Sequence, residues 1–192
     1  KQKPWEESIN VPLLLRQPGR VPAGRVSDEL FGLVDLTPTL LSLVGLRPEA
    51  DFQGLDLSAS VIGSGRGRDE VLIHNPICVD DGRLQPPWWG LRTPRWTYAR
   101  TLEDTWVLFD HERDPYQMTN LAGRLEMAGL ERELAARLET VLAAAGESIR
   151  PWPEILRDLN LIDAWNAREL ELHGRHPENM RRLRPDGRLE TR

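Results

Sequence analysis

Trp96-Thr97-Tyr98-Ala99 and Trp106-Val107-Leu108-Phe109 are two short runs built from aromatic and β-branched residues. Such side chains suit a pleated, half-buried surface, so both runs read as strands. Acidic Glu103-Asp104 lies between them, as expected of the solvent-facing turn of a hairpin. Downstream, Met127, Leu130, Leu134, Leu138, Val141 and Ala145 recur at spacings of three and four. That period places them on one face of a long helix, with Glu131, Arg132, Arg137 and Glu139 off the stripe and Gly146 at its end. Upstream, Val71-Leu72-Ile73-His74 reads as a further strand, followed by a polar, proline-rich loop over 75–90 that ends in Trp88-Trp89. Antiparallel strands followed by a long helix suggest a separate layer or subdomain.

The N-terminal third has a different grain. Val11-Pro12-Leu13-Leu14-Leu15-Arg16 is a continuous apolar run closed by Pro18-Gly19. An unbroken rather than alternating run predicts a strand buried on both faces, as in a parallel α/β sheet, with partner strands that must come from elsewhere. A helix follows, with Thr37 as cap, Pro38 in the first turn, Leu40, Leu41, Leu43 and Val44 as apolar surface, and Gly45 after the last residue. Asp35 lies just outside its start, where the helix dipole favours negative charge. Residues 46–70 read as loop. Beyond Pro151, Ile155, Leu159 and Ile162 suggest one short amphipathic helix continuing through Trp165, and the tail from Gly174 is expected to be mobile.

Composition excludes several classes. The chain has 192 residues and a net charge of -5, so no overall basic field draws it to nucleic acid. One cysteine rules out an internal disulfide. No apolar run approaches the roughly 20 residues of a membrane span, and Lys1-Gln2-Lys3-Pro4 leads into no signal-like stretch. A soluble protein is expected, with its compartment undefined.

Three local patterns then resemble the sulfatase family of alkaline-phosphatase-like hydrolases. The first is Lys1-Gln2-Lys3-Pro4-Trp5-Glu6-Glu7-Ser8-Ile9-Asn10-Val11-Pro12-Leu13, similar to the family's Lys-Gly-Thr, Glu and Arg/Asn-Val-Pro succession. The second is Val34-Asp35-Leu36-Thr37-Pro38-Thr39-Leu40-Leu41, with Gln53-Gly54-Leu55-Asp56-Leu57 after it. The third is Leu91-Arg92-Thr93-Pro94-Arg95-Trp96-Thr97-Tyr98, followed by Leu108-Phe109-Asp110 and Asp114-Pro115-Tyr116. The resemblance covers residues 1–145 and implies an α/β fold, locally α+β. The chain would be the C-terminal portion of an alkaline-phosphatase-like sandwich, with a small antiparallel subdomain and a packed long helix. The divisions expected are 1–65 for the end of the α/β core, 66–148 for the antiparallel sheet and helix, and 149–192 for an extension.

Sulfate-ester hydrolysis needs cations aimed at the transferring anionic group. The family supplies calcium, held by Asp and Asn/His ligands, and a formylglycine made from Cys or Ser in a Cys/Ser-x-Pro/Ala-x-Arg cassette. Cys78 is followed by Val79-Asp80-Asp81, so it is not that residue. No Asp-pair or Asp-His/Asn-Gly metal motif is present, so no metal is expected within the chain. By resemblance Lys1 is the lysine that reaches the sulfate in an intact parent, since an ammonium is a compact charge suited to an anionic oxygen; in the isolated chain a solvated terminal lysine is the preferred reading. Gln2 and Lys3 stand where the family has Gly-Thr, which leaves Lys3 as a competing register.

Other residues carry blander readings. Asp110-His111 with Asp114 has oxygen-ligand chemistry, but Asp114-Pro115 is turn chemistry and the turn is preferred. His173 and His176 lack two further zinc ligands. Asp80-Asp81 reads as a solvated loop, Trp88 and Trp89 as packing rather than sugar stacking, and Arg92 as a strand-end ion-pair partner. The expected function is the C-terminal portion of a sulfatase, acting on a sulfate ester only with an N-terminal half and inactive alone. The alternatives are a phosphoesterase or phosphonate-hydrolase fragment of the same superfamily, and a non-catalytic interaction module.

Overall fold

The three strands expected of the antiparallel sheet form, and one more joins them. The computed structural model describes residues 2–47, 51–76, 78–80, 83–173 and 181–190. In chain order the helices and strands are α1 (Glu6–Ile9), α2 (Leu36–Leu43), α3 (Ser58–Ile62), β1 (Val71–Asn75), β2 (Cys78–Asp80), β3 (Arg83–Gln85), β4 (Trp88–Arg92), β5 (Trp96–Arg100), β6 (Thr105–Asp110), α4 (Ala128–Ala144), α5 (Trp152–Asp158) and α6 (Ile162–His173). The antiparallel sheet has the order β1-β4-β5-β6, and β2-β3 form a separate two-stranded ribbon.

The sheet is buried on both faces, and the pleat divides its side chains. Trp89, Leu91, Tyr98 and Leu108 face α4, meeting Leu134, Leu138 and Leu142, with Ile155 of α5 closing the cluster. Trp88, Ala99, Val107 and Phe109 face the other way, where Trp5 and Trp106 cover them. The register between β5 and β6 shifts at Ala99/Arg100, so Trp106 has no cross-strand partner. This bulge lets Trp106 and Val107 serve the same face. Gly90 pairs with Ala99 in β5. A Cβ at Gly90 would lie 2.2 Å from the Tyr98 carbonyl oxygen, so only glycine permits this strand approach.

Several expectations need correction. Trp88-Trp89 do not end a loop; they open β4, because alternate burial on two opposed faces rewards two successive indoles. The expected loops contain α3 and the β2-β3 ribbon. On α4 it is Leu142, not Ala145, that completes the buried stripe. The helix begins after a 3-10 turn at Leu125–Met127, and Gly146 adopts the left-handed φ of 72° just beyond its end. The single C-terminal helix is two, since Asn160 turns left-handed between α5 and α6 and Leu159 is left 59% exposed. Within the tail expected to be mobile, residues 181–190 fold back on α5 and α6. Helix α2 has no side-chain cap, and Thr37 lies within it, behind a 3-10 turn at Leu33–Asp35. Gly45 does close it with a φ of 78°.

The largest departure is at Val11–Arg16. These residues run without strand pairing among the described residues, and Leu14 is 94% exposed. A parallel strand needs neighbours on both edges, and none is found for it among the described residues. No helix among the described residues is long and apolar enough to cross a membrane.

Candidate functional site

The residues that resemble a sulfate-binding segment lie on the aromatic face of the sheet. Lys1 itself is outside the described residues. Gln2 follows it with a φ of 66°, a left-handed conformation that favours glycine. Its carbonyl oxygen accepts a hydrogen bond from Trp88 Nε1 at 3.0 Å. Lys3 is half-buried and has no ion-pair partner among the described residues. Pro4 is buried, and the Trp5 ring meets Trp106 edge-on, with centroids 5.3 Å apart.

Glu6 fixes the far end of this segment. Its N–H donates to Gln117 Oε1 at 2.8 Å, and its Oε1 accepts from Arg92 Nε at 2.8 Å. Arg92 is thus the ion-pair partner expected of it. His111 Nε2 lies 3.8 Å from the same Glu6 oxygen and 2.7 Å from Thr97 Oγ1. Glu6, Thr97, Arg92, His111 and Gln117 therefore form one polar clamp, which holds the lysine segment to β4, β5 and the turn after β6. Neither Glu6 nor Gln117 was legible as a site residue. Gln117 is buried with a φ of 53°, a conformation no sequence pattern announces.

Burial pushes the His111 pKa down, as does Arg92, while Glu6, Asp110 and Asp114 pull it upward; the net shift is downward. A histidine lowered in the fold takes up its proton first in the unfolded chain. Stability therefore falls as pH drops below the unfolded value of about 6.5, until the folded group also titrates. His111→Gln should flatten the decline of the urea midpoint between about pH 6.5 and 5. Equal declines in the two proteins would show that His111 is not its source.

The other candidates are occupied structurally. Asp110 accepts both Nε and Nη2 of Arg95, at 3.1 and 2.8 Å, and Arg95 holds its carboxyl below the usual range. Asp114 accepts the Thr119 N–H at 2.7 Å, as its turn chemistry requires. Trp88 and Trp89 are core residues of opposite faces. The side chains of Cys78, Asp80 and His173, and the residues Asp81 and His176, lie outside the described set. Among the described residues, no group of three His, Cys, Asp or Glu side chains could hold a metal ion.

A second polar centre underlies the motif at Asp35. This side chain is fully buried at the start of α2, not merely near a helix dipole. It accepts the N–H groups of Gly32 (2.9 Å) and Leu55 (2.7 Å) and both sides of the Arg68 guanidinium, with Arg68 Nε at 2.6 Å. Gly54 is obligatory beside it, since a Cβ there would come within 1.9 Å of the Val34 carbonyl oxygen. The spacing of the second motif is thus explained by one buried carboxylate joining three chain segments.

The antiparallel sheet, with a long helix on one face and a returning N-terminal segment on the other, has the alkaline-phosphatase-like fold of a putative sulfatase from Bacteroides thetaiotaomicron, with a TM-score of 0.52 over 59% of this chain and 25% of that one, at 25% identity. More specifically, the chain belongs to the sulfatase family, for residues 1–144 match the family model described as N-sulphoglucosamine sulphohydrolase, C-terminal. It is 34% identical over 164 residues to an ulvan-active sulfatase of Formosa agariphila, covering 84% of this chain and 32% of the relative. It is 28% identical over 141 residues to an N-acetylglucosamine-6-O-sulfatase of Bacteroides thetaiotaomicron, covering 70% of this chain and 25% of that protein. The chain thus spans about a third or less of the length of these relatives.

Proposed function

We propose that this chain is the part of a sulfate-ester hydrolase that carries the sulfate-facing lysine and holds it in place. The observation that carries this reading is the clamp on residues 2–6: an indole N–H bond from Trp88 to the Gln2 carbonyl, an aromatic contact at Trp5, and Arg92, Gln117 and His111 around Glu6. Gln2 supports Lys1 over Lys3 as that lysine. It stands where the family has glycine, and it adopts the left-handed backbone that glycine favours. An ammonium so placed would offset charge on a nonbridging sulfate oxygen as the ester bond to the leaving oxygen breaks. Calcium is the metal this reading expects, with ligands supplied by residues other than those described.

The exposed apolar residues support an association with a further α/β layer. Val11, Leu13, Leu14, Val26, Leu33, Val34 and Val44 are exposed in the same N-terminal third. Burying such a surface against a sheet would give Val11–Arg16 the strand neighbours it lacks.

The test is sulfate release from an aryl sulfate, with calcium, by the 192-residue chain alone and after joining to a sulfatase N-terminal half bearing the nucleophile cassette. Turnover is expected only in the joined protein, and Lys1→Ala should depress it far more than Lys3→Ala. Robust turnover by the chain alone would overturn the reading, and so would an indifferent Lys1→Ala. An aryl phosphonate run in parallel separates the sulfatase from its phosphonate-cleaving relatives.

A further inference from the structure

Residues beyond the family match pack into a small cluster of their own. Helices α5 and α6 meet through Trp152 and Trp165, whose rings lie 4.9 Å apart. With Leu156 and Ile162 these indoles enclose Leu183, which is 1% exposed. The backbone around Leu183 is read by side chains rather than by another strand. Asn166 accepts the Leu183 N–H through Oδ1 and donates to the Leu183 carbonyl through Nδ2, each at 2.8 Å. Trp165 Nε1 donates to the Arg181 carbonyl at 2.7 Å, and buried Glu169 accepts the Arg181 N–H at 2.7 Å. Four bonds to two residues' backbone, and one apolar anchor, are the elements by which extended peptides are recognised.

The bound segment has a shape of its own. Arg184-Pro185-Asp186-Gly187 forms a tight turn: Gly187 has a φ of 83°, and the Arg184 N–H reaches the Arg188 carbonyl at 2.8 Å. Leu183 and Leu189 form an antiparallel bridge, and the Glu190 N–H donates to the Arg182 carbonyl. The arginines at 181, 182, 184 and 188 are exposed, and Leu183 is the buried anchor of the segment.

We propose that α5 and α6 form a recognition groove for a leucine-bearing extended peptide, which this chain fills with its own residues 181–188. The contact is non-covalent and local. The same peptide supplied in trans, or by a second copy of the chain, therefore occupies the groove when the chain's own segment is displaced.

The experiment uses the full chain carrying Leu183→Asp, which removes the anchor, and a fluorescein-labelled synthetic peptide with the sequence of residues 179–190. Saturable anisotropy is expected with the Leu183→Asp chain and not with the wild type, whose groove is filled. Adding Asn166→Ala to the variant should weaken binding about tenfold or more. No saturation up to about 100 μM, in a variant that still melts cooperatively, would overturn the proposal. Should Leu183→Asp prevent folding, a protease site inserted between residues 174 and 180 of the wild type serves instead. After cleavage the C-terminal fragment should co-elute with the body of the chain and be displaced by excess peptide; loss on elution or failure of displacement refutes the groove.

Discussion

Replacing Asp35 with alanine should lower the unfolding free energy by about 3–5 kcal/mol, the usual cost of breaking a buried ion pair from one side. The carboxylate has no exposed surface and the Arg68 side chain only 20%, so water cannot replace the lost partner. The substitution also strands the N–H groups of Gly32 and Leu55, which the same carboxylate accepts. Burial by itself would raise the Asp35 pKa, but the bonds from Arg68, Leu55 and Gly32 outweigh it and hold the group ionised. The contribution is therefore complete above the unfolded value of about 3.9 and is lost as the pH falls through the lower folded value. A urea melt reads the effect at neutral pH. Adding Arg68→Met to Asp35→Ala should recover part of the loss, because an unpaired guanidinium is then no longer confined beside the cavity. A loss below about 1 kcal/mol for the single variant would mean that this centre does not join its three segments.

Trp89→Ala should be of similar size, about 3–5 kcal/mol, for a different reason. Trp89 is 0% exposed and lies between β4 and the leucines of α4. Alanine would remove the indole and leave a cavity that rigid neighbouring strands cannot close. The indole also brings a cost, since its Nε1 is buried without a hydrogen-bond partner among the described residues. An unmet donor of this kind costs about 1–3 kcal/mol. Trp89→Phe gives up some packing but removes that donor, so it should cost much less than Trp89→Ala. Equal losses for the two variants, by thermal or urea unfolding, would show that the orphaned N–H is not penalised. Trp88 makes a useful contrast, because its Nε1 bonds the Gln2 carbonyl and its phenylalanine variant loses a bond.

Family, helix α2 with its glycine stop, the β5-β6 hairpin and the stripe of α4 were all legible in the sequence. Each depends on contacts between near neighbours, or on a period that one element displays by itself. Local chemistry also identified the Asp114 turn and the ion-pairing of Arg92, though not its partner. The candidate lysine segment was legible only as a resemblance, because nothing in its sequence announces how residues 2–6 are held.

What the tertiary structure decided lies at long range. Glu6 meets Arg92 across 86 residues and Gln117 across 111, and Asp35 meets Arg68 across 33. No periodicity links such partners; they meet only when the sheet brings β4 and the turn after β6 under the N-terminal segment. The two indoles of Trp88-Trp89 part company because a pleated strand sends successive side chains to opposite faces, and both faces here are covered. The Val11–Arg16 run shows the reverse dependence. Its composition determines that it is suited to a buried strand, while burial requires neighbours that a single apolar run cannot supply.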